Sequence, residues 1–93
     1  MAKLARNPQV AVGRAIRLRR EEVGISQSDL GLEVDHLQSW ISHIENGYAN
    51  PAYGTVDAIA RALGWSIGEL VSLAQSIETD DRKPLNKPIG PRD

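Results

Sequence analysis

The 93-residue sequence has no cysteine and no phenylalanine, and aromatic residues make up only 4% of it. Without cysteine there is no disulfide framework, no thiolate zinc site and no thiol chemistry. Without phenylalanine the core must be assembled from Leu, Ile, Val and Ala, which 41% hydrophobic residues can supply. No apolar run approaches the roughly 18 residues of a membrane-spanning helix. Met1-Ala2-Lys3-Leu4-Ala5-Arg6-Asn7-Pro8 is charged but has no apolar stretch behind it, so it does not read as a signal peptide. These absences are compatible with a reducing cytoplasm, and a cytoplasmic chain without membrane association is the expectation. At about 100–200 residues per domain, there is room for one core.

The net charge of −1 conceals a strong asymmetry. Lys3, Arg6, Arg14, Arg17, Arg19 and Arg20 stand in the first twenty residues without one acid. Between residues 21 and 60 the sign reverses: Glu21, Glu22, Asp29, Glu33, Asp35, Glu45 and Asp57 occur without a lysine or arginine. Any nucleic-acid partner has to be reconciled with that block.

No stretch alternates as a strand does, whereas helix punctuation recurs. A first helix is expected from about Val10 to Val23, with Val12, Ile16, Arg19/Arg20 and Val23 on its inner face and Gly24 at its left-handed end. Ser26 caps a second, with Asp29 at its third position, and Leu30 and Val34 face inward. A third covers about Leu37 to Asn46, with Leu37, Ile41 and Ile44 inward and Gly47 as terminator. After the loop from Tyr48 to Gly54, a fourth runs from about Thr55 to Leu63, burying Val56, Ile59, Ala60 and Leu63, and Gly64 ends it. Ser66-Ile67-Gly68-Glu69 is a capping box that opens a fifth, with Leu70, Leu73, Ala74 and Ile77 as its stripe. The expected organisation is a basic N-terminal arm over residues 1–9, a helical domain over 10–77, and a disordered, charged, proline-rich tail over 78–93.

Two short helices joined by a tight turn within a five-helix domain suggest a helix-turn-helix, although the periodicity alone fits any small bundle. The specific signal is Ser26-Gln27-Ser28-Asp29-Leu30, then Ile41-Ser42-His43-Ile44-Glu45-Asn46-Gly47, then Asn50-Pro51 and Ala60-Arg61-Ala62-Leu63-Gly64. Over about residues 10–75 this resembles the XRE family, the helix-turn-helix domains of lambdoid phage repressors and Cro proteins. The resemblance implies an all-α, five-helix lambda-repressor-like fold whose third helix lies in the major groove of double-stranded DNA.

It also implies roles for individual residues. Gln27, with Ser28 beside it at the start of the second helix, would meet a phosphate, where backbone N–H groups already favour an anion. Gln38, Ser39, Ser42 and His43 would face the DNA. Gln38 is the best reader of a base, because its amide donates and accepts at once, as adenine N6 and N7 require. Asn46 and the loop to Asn50 would touch phosphates. Apart from the resemblance, Gln38 and Ser39 read first as an ordinary solvated helix face. Arg20 and Glu45 match positions that pair the first helix with the end of the third, a structural role.

Three departures from the family pattern bear on the site. Asp35 stands where glycine is usual, either in the left-handed conformation at some cost or as an early cap of the third helix with Gln38 at its third position. Leu37 replaces a small polar cap. Trp40 can pack on sugar and phosphate, touch a thymine methyl, or cover the core edge. The third helix has no Arg or Lys, so the commonest guanine contact is missing and A·T pairs are favoured under Gln38.

Catalysis finds no support. His36 and His43 are about two helical turns apart with no other ligand between them, the serines lack His and Asp partners, and no Gly-rich loop follows a strand. No metal or cofactor is implied. Two functions remain: a sequence-specific DNA-binding transcription regulator, read as a repressor acting as a homodimer, and a protein-interaction module on the same fold, such as an antitoxin or accessory regulator, binding a protein partner through the acidic surface and Leu37 or Trp40. A dimer would draw on Leu70, Val71, Leu73 and Ile77 with Trp65, unless Leu70 and Leu73 simply close the core.

Overall fold

The computed structural model describes residues 7–82. Five helices follow one another, α1 (Pro8–Val23), α2 (Gln27–Val34), α3 (Gln38–Glu45), α4 (Tyr53–Ala62) and α5 (Ile67–Arg82). Helix α1 packs on α3 and α5, α2 on α3 and α4, and α4 on α5. Among the described residues there is no strand, and no helix is long and apolar enough to cross a membrane.

Local chemistry fixes the ends. Asn7 Oδ1 accepts the Val10 N–H at 3.2 Å and Pro8 follows in the first turn, so α1 starts ahead of the expected Val10. Proline suits that position because its missing N–H has no helical partner there anyway. Pro8 and Gln9 of the expected basic arm therefore belong to α1, and residues 1–6 lie outside the described residues. Ser26 Oγ caps α2 through the Asp29 N–H at 2.9 Å. Ser66 and Glu69 close their box reciprocally, at 2.8 and 3.1 Å. Gly24, Gly47 and Gly64 take positive φ at the expected helix ends. Helix α4 begins at Tyr53, earlier than Thr55, behind Ala52 in extended conformation. Helix α5 continues past Glu78 to Arg82, because Glu78 lies one turn beyond the buried Ala74 and shares its inward face. The start of the expected tail thus falls inside α5, and residues 83–93 lie outside the described residues.

The core is aliphatic throughout. Ile16, Leu30, Ile41, Ile44, Ile59, Leu63 and Leu70 are fully buried, with Ala11, Ala15, Val56, Ala60 and Ala74 between them. Two expectations about inward faces are corrected. On α1 the buried side chains are Ala11, Ala15 and Ile16, while Val12 is half-buried and Val23 is exposed. Small residues are needed there because α1 and α3 almost touch: a Cβ on Gly13 would overlap the Ile44 carbonyl oxygen and stand 3.0 Å from that of Glu45. The other correction is Leu37, which is 75% exposed rather than inward. It is the N-cap of α3, in extended conformation, so helical periodicity does not govern where its side chain points.

Candidate nucleic-acid interface

The turn between α2 and α3 is set by backbone approach. His36 N–H donates to the Gly31 carbonyl at 2.8 Å, and a Cβ on Gly31 would stand 2.6 Å from the His36 carbonyl oxygen. Asp35 completes the turn at φ 61° and ψ 46°, the left-handed conformation, as the C-cap of α2. It does not cap α3; Leu37 holds that position and makes no side-chain cap bond.

Helix α3 is consequently held across α2 with one face bare. Ile41, Ile44 and Glu45 are buried on one side, whereas Gln38, Ser39 and His43 are exposed on the other and Ser42 is half-buried. Those four polar positions recur at helical spacing, so they form one stripe. Ser28 is exposed at the start of α2. Asn46, the C-cap of α3, donates from Nδ2 to the Ser42 carbonyl at 2.9 Å and so steadies the last turn. The His43 ring meets Tyr48 edge-on at 6.2 Å. Trp40 packs half-buried against the core and lies 6.1 Å from the His36 ring. Its Nε1 is buried with no hydrogen-bond partner among the described residues.

Beneath the stripe runs a connected polar chain. Arg20 donates from Nε to Glu45 Oε2 at 2.6 Å and from Nη2 to Oε1 at 3.1 Å, a bidentate pair whose side chains are 12% and 1% exposed. Arg20 Nη1 also donates to the Ile25 carbonyl at 2.9 Å. The Glu45 hydrogen bond holds the Arg20 proton more tightly than usual; burial opposes it, and the charges of Glu45 and Glu21 assist. Gln27 Nε2 donates to Glu45 Oε1 at 3.0 Å, and Gln38 Nε2 donates to Gln27 Oε1 at 2.8 Å. Gln27 therefore links the buried ion pair to the first residue of α3. One of its amide hydrogens and its oxygen are engaged inside the protein, which the sequence did not indicate.

Sequence reasoning also missed Gln9. Its Nε2 donates to the Gly47 carbonyl at 2.7 Å and ties the first turn of α1 to the loop after α3. The signal available was the Asn7-Pro8 helix start, which places Gln9 in the first turn. Several arginines are held by acceptors within the molecule. Arg17 pairs with Glu21 at 3.1 Å and Arg61 with Asp57 at 3.0 Å. Arg19 donates to the Leu63 carbonyl at 3.0 Å and to Glu22 at 2.9 Å, and its guanidinium sits 4.5 Å from the centre of the Trp65 ring. Among the described residues, no three His, Cys, Asp or Glu side chains converge as a metal site would need.

The helix-turn-helix family profile matches residues 16–70, more than half of the chain. This chain belongs to the helix-turn-helix family, in its XRE branch. Control protein C.MunI from a Mycoplasma species is 32% identical over 56 residues, spanning 60% of this chain and 76% of that protein. In structure the chain is similar to the clp gene regulator ClgR of Corynebacterium glutamicum, at a TM-score of 0.77 and 20% identity over 78% of both chains. A second ClgR structure gives 0.73 and 21%, over 75% of this chain and 90% of that one. The structural likeness establishes the all-α fold, and the family match makes the protein a DNA-binding transcription regulator rather than an enzyme.

Proposed function

We propose that the protein binds a specific double-stranded DNA sequence by laying α3 in the major groove, and that Gln38 reads an adenine there. The observation that carries this is the chain from Arg20 through Glu45 and Gln27 to Gln38. It uses one amide hydrogen of the exposed Gln38 and leaves the other, with Oε1, without a bond among the described residues. One donor and one acceptor on a fixed amide match adenine N7 and N6, and a side chain already held in place loses less entropy on binding. Ser39, Ser42 and His43 line the same groove face. Ser28 and the remaining amide hydrogen of Gln27, at the N-terminus of α2, serve a phosphate, where the helix dipole favours an anion. Asn46 serves another beside the α3 end. Leu37 and Trp40 flank the stripe and offer apolar contact to a thymine methyl or sugar. Neutral donors and helix starts can position a protein on DNA without cations, which reconciles the acidic middle of the chain with this partner. Occupying the groove excludes other proteins from that stretch, so we read the regulator as a repressor acting in the cytoplasm.

One recognition helix covers too few base pairs to single out a site among a genome's competitors. We therefore infer a homodimer, with recognition helices about 34 Å apart in successive major grooves. The apolar residues considered for its interface occupy different places: Val71 lines a groove with Pro51, Tyr53, Val56 and Ile67, whereas Leu73 and Trp65 line another with Leu18. The first groove adjoins the loop that follows α3, and we assign the dimer contact there. Selection from a random DNA pool at near-physiological salt tests the whole proposal. A recovered palindrome with half-sites one helical turn apart supports it; no enrichment refutes sequence-specific binding. Sedimentation of the complex with Val71→Glu against Leu18→Glu tests the contact, because only the former should reduce two copies per site to one.

A further inference from the structure

We propose that the exposed face of α2 and the turn after it form a docking surface for a basic, amphipathic surface of another protein. Leu32 is 81% exposed and Leu37 75%, the former more than any other large hydrophobic residue of the described chain. They are not scattered: both line one cleft of about 360 Å³, with Gly31, Asp35 and His36. Asp29 stands at i−3 from Leu32 and i−4 from Glu33 on α2, all exposed, so its carboxylate neighbours both the leucine and the second acid.

The fold accounts for only one of these acids. Asp29 lies in the first turn of α2, where the helix dipole favours it. Glu33 in the last turn and Asp35 at the C-cap sit at the negative end of the same helix, where an acid is unfavourable, and no basic residue stands in that turn. Neither carboxylate forms an ion pair among the described residues. The exposed carboxylates of Glu33 and Asp35 would repel a phosphate strand laid over this surface. The complement of an aliphatic cleft edged by unpaired carboxylates is one or two aliphatic side chains flanked by lysine or arginine. Polar rims around an apolar centre are the ordinary anatomy of protein interfaces. This surface excludes Gln38, Ser39, Ser42 and His43, shares only Leu37 with the proposed DNA contact, and stands whether or not Gln38 reads a base.

The test uses the full chain, labelled with ¹⁵N, and two synthetic helical peptides of equal length. One carries a leucine stripe flanked by lysine and arginine; the other has the same stripe flanked by glutamate. Titration at about physiological salt should give saturable amide shifts from the first peptide only, confined to residues 29–37. Leu32→Ser with Glu33→Gln should weaken that binding at least about tenfold while leaving affinity for selected DNA unchanged. Shifts spread equally over Asp57 and Glu69 would mean unspecific attraction and would overturn the proposal. So would equal binding of the acidic peptide, or unaltered peptide binding by the double variant. Loss of DNA affinity in that variant would instead assign the cleft to the DNA interface, and absence of any selected DNA site would refute sequence reading without touching the peptide result.

Discussion

Replacing Glu45 by alanine takes both carboxylate oxygens away from a guanidinium that is only 12% exposed. Leaving one member of a buried pair costs about 3–5 kcal/mol. Arg20 keeps its bond to the Ile25 carbonyl, which favours the lower end. Gln27 also loses the acceptor for its Nε2, worth about 1 kcal/mol for a neutral hydrogen bond. A loss of about 3–4 kcal/mol is therefore expected, and at about 4–8 °C per kcal/mol for a domain of this size the Tm falls by about 12–30 °C. Urea unfolding at low temperature, followed by circular dichroism, keeps enough folded variant to measure, with Glu33→Ala as the exposed control. Arg20→Ala added to Glu45→Ala should cost little more, because the stranded charge is then gone. Equal stability of Glu45→Ala and Glu33→Ala would refute the reasoning. The pH dependence has a definite sign. Folding raises the proton affinity of Arg20, so its contribution is complete below the ordinary guanidinium range and fades only as pH rises beyond it. Loss of the Glu45→Ala difference between pH 7 and pH 10 would contradict that.

Gln38→Ala should weaken specific binding by about 1–3 kcal/mol and relax preference at one base pair; an equal loss on all sequences, measured by competition binding, would make Gln38 a backbone contact. Gly13→Ala should destabilise the domain despite the roughly 1 kcal/mol that alanine gains in a helix interior, since the new Cβ meets the backbone carbonyls of Ile44 and Glu45, which cannot swing aside; a raised Tm would refute the close crossing. Asp35→Gly should stabilise by about 0.5–1 kcal/mol in thermal melts, because relief of a left-handed residue, about 1–2 kcal/mol, and of an acid at a helix C-terminus outweighs the added chain entropy. Leu37→Ser should add about 1 kcal/mol by supplying the missing cap of α3, read by the same melts.

The helices were legible where local chemistry decides them. The Ser66–Glu69 box and the positive-φ glycines Gly24, Gly47 and Gly64 need no tertiary information, and the inner face of α4 follows from spacing alone. The Arg20–Glu45 pair came from the family pattern rather than from periodicity, since nothing local joins residues 25 apart. What stayed hidden depends on distance between backbones. Ala11 and Ala15 look less like core than Val12 and Val23, and only the close approach of α3 at Gly13 explains why small residues are the ones buried. Gln27 shows the same limit at the site: its type and place suggested a phosphate contact, but its position between Glu45 and Gln38 is a fact of the α2–α3 crossing. Leu37 failed because a residue one step outside a helix no longer follows its period.

Arg17, Arg19, Arg20 and Arg61 already hold carboxylates or carbonyls of their own chain. A cation that must first leave a partner of its own chain gains less from a phosphate, and counterion release by cations is what makes sequence-independent binding strong. If the proposed reading of a specific site holds, weak attachment to arbitrary sequence would change how the regulator is distributed in a cell. Fewer molecules would be parked along the chromosome, more would remain free, and the site would be reached by diffusion through solution rather than by sliding from neighbouring DNA. Occupancy would then follow the number of copies made almost directly, without a reservoir of bound protein to smooth it, so a small change in synthesis would become a prompt change in transcription.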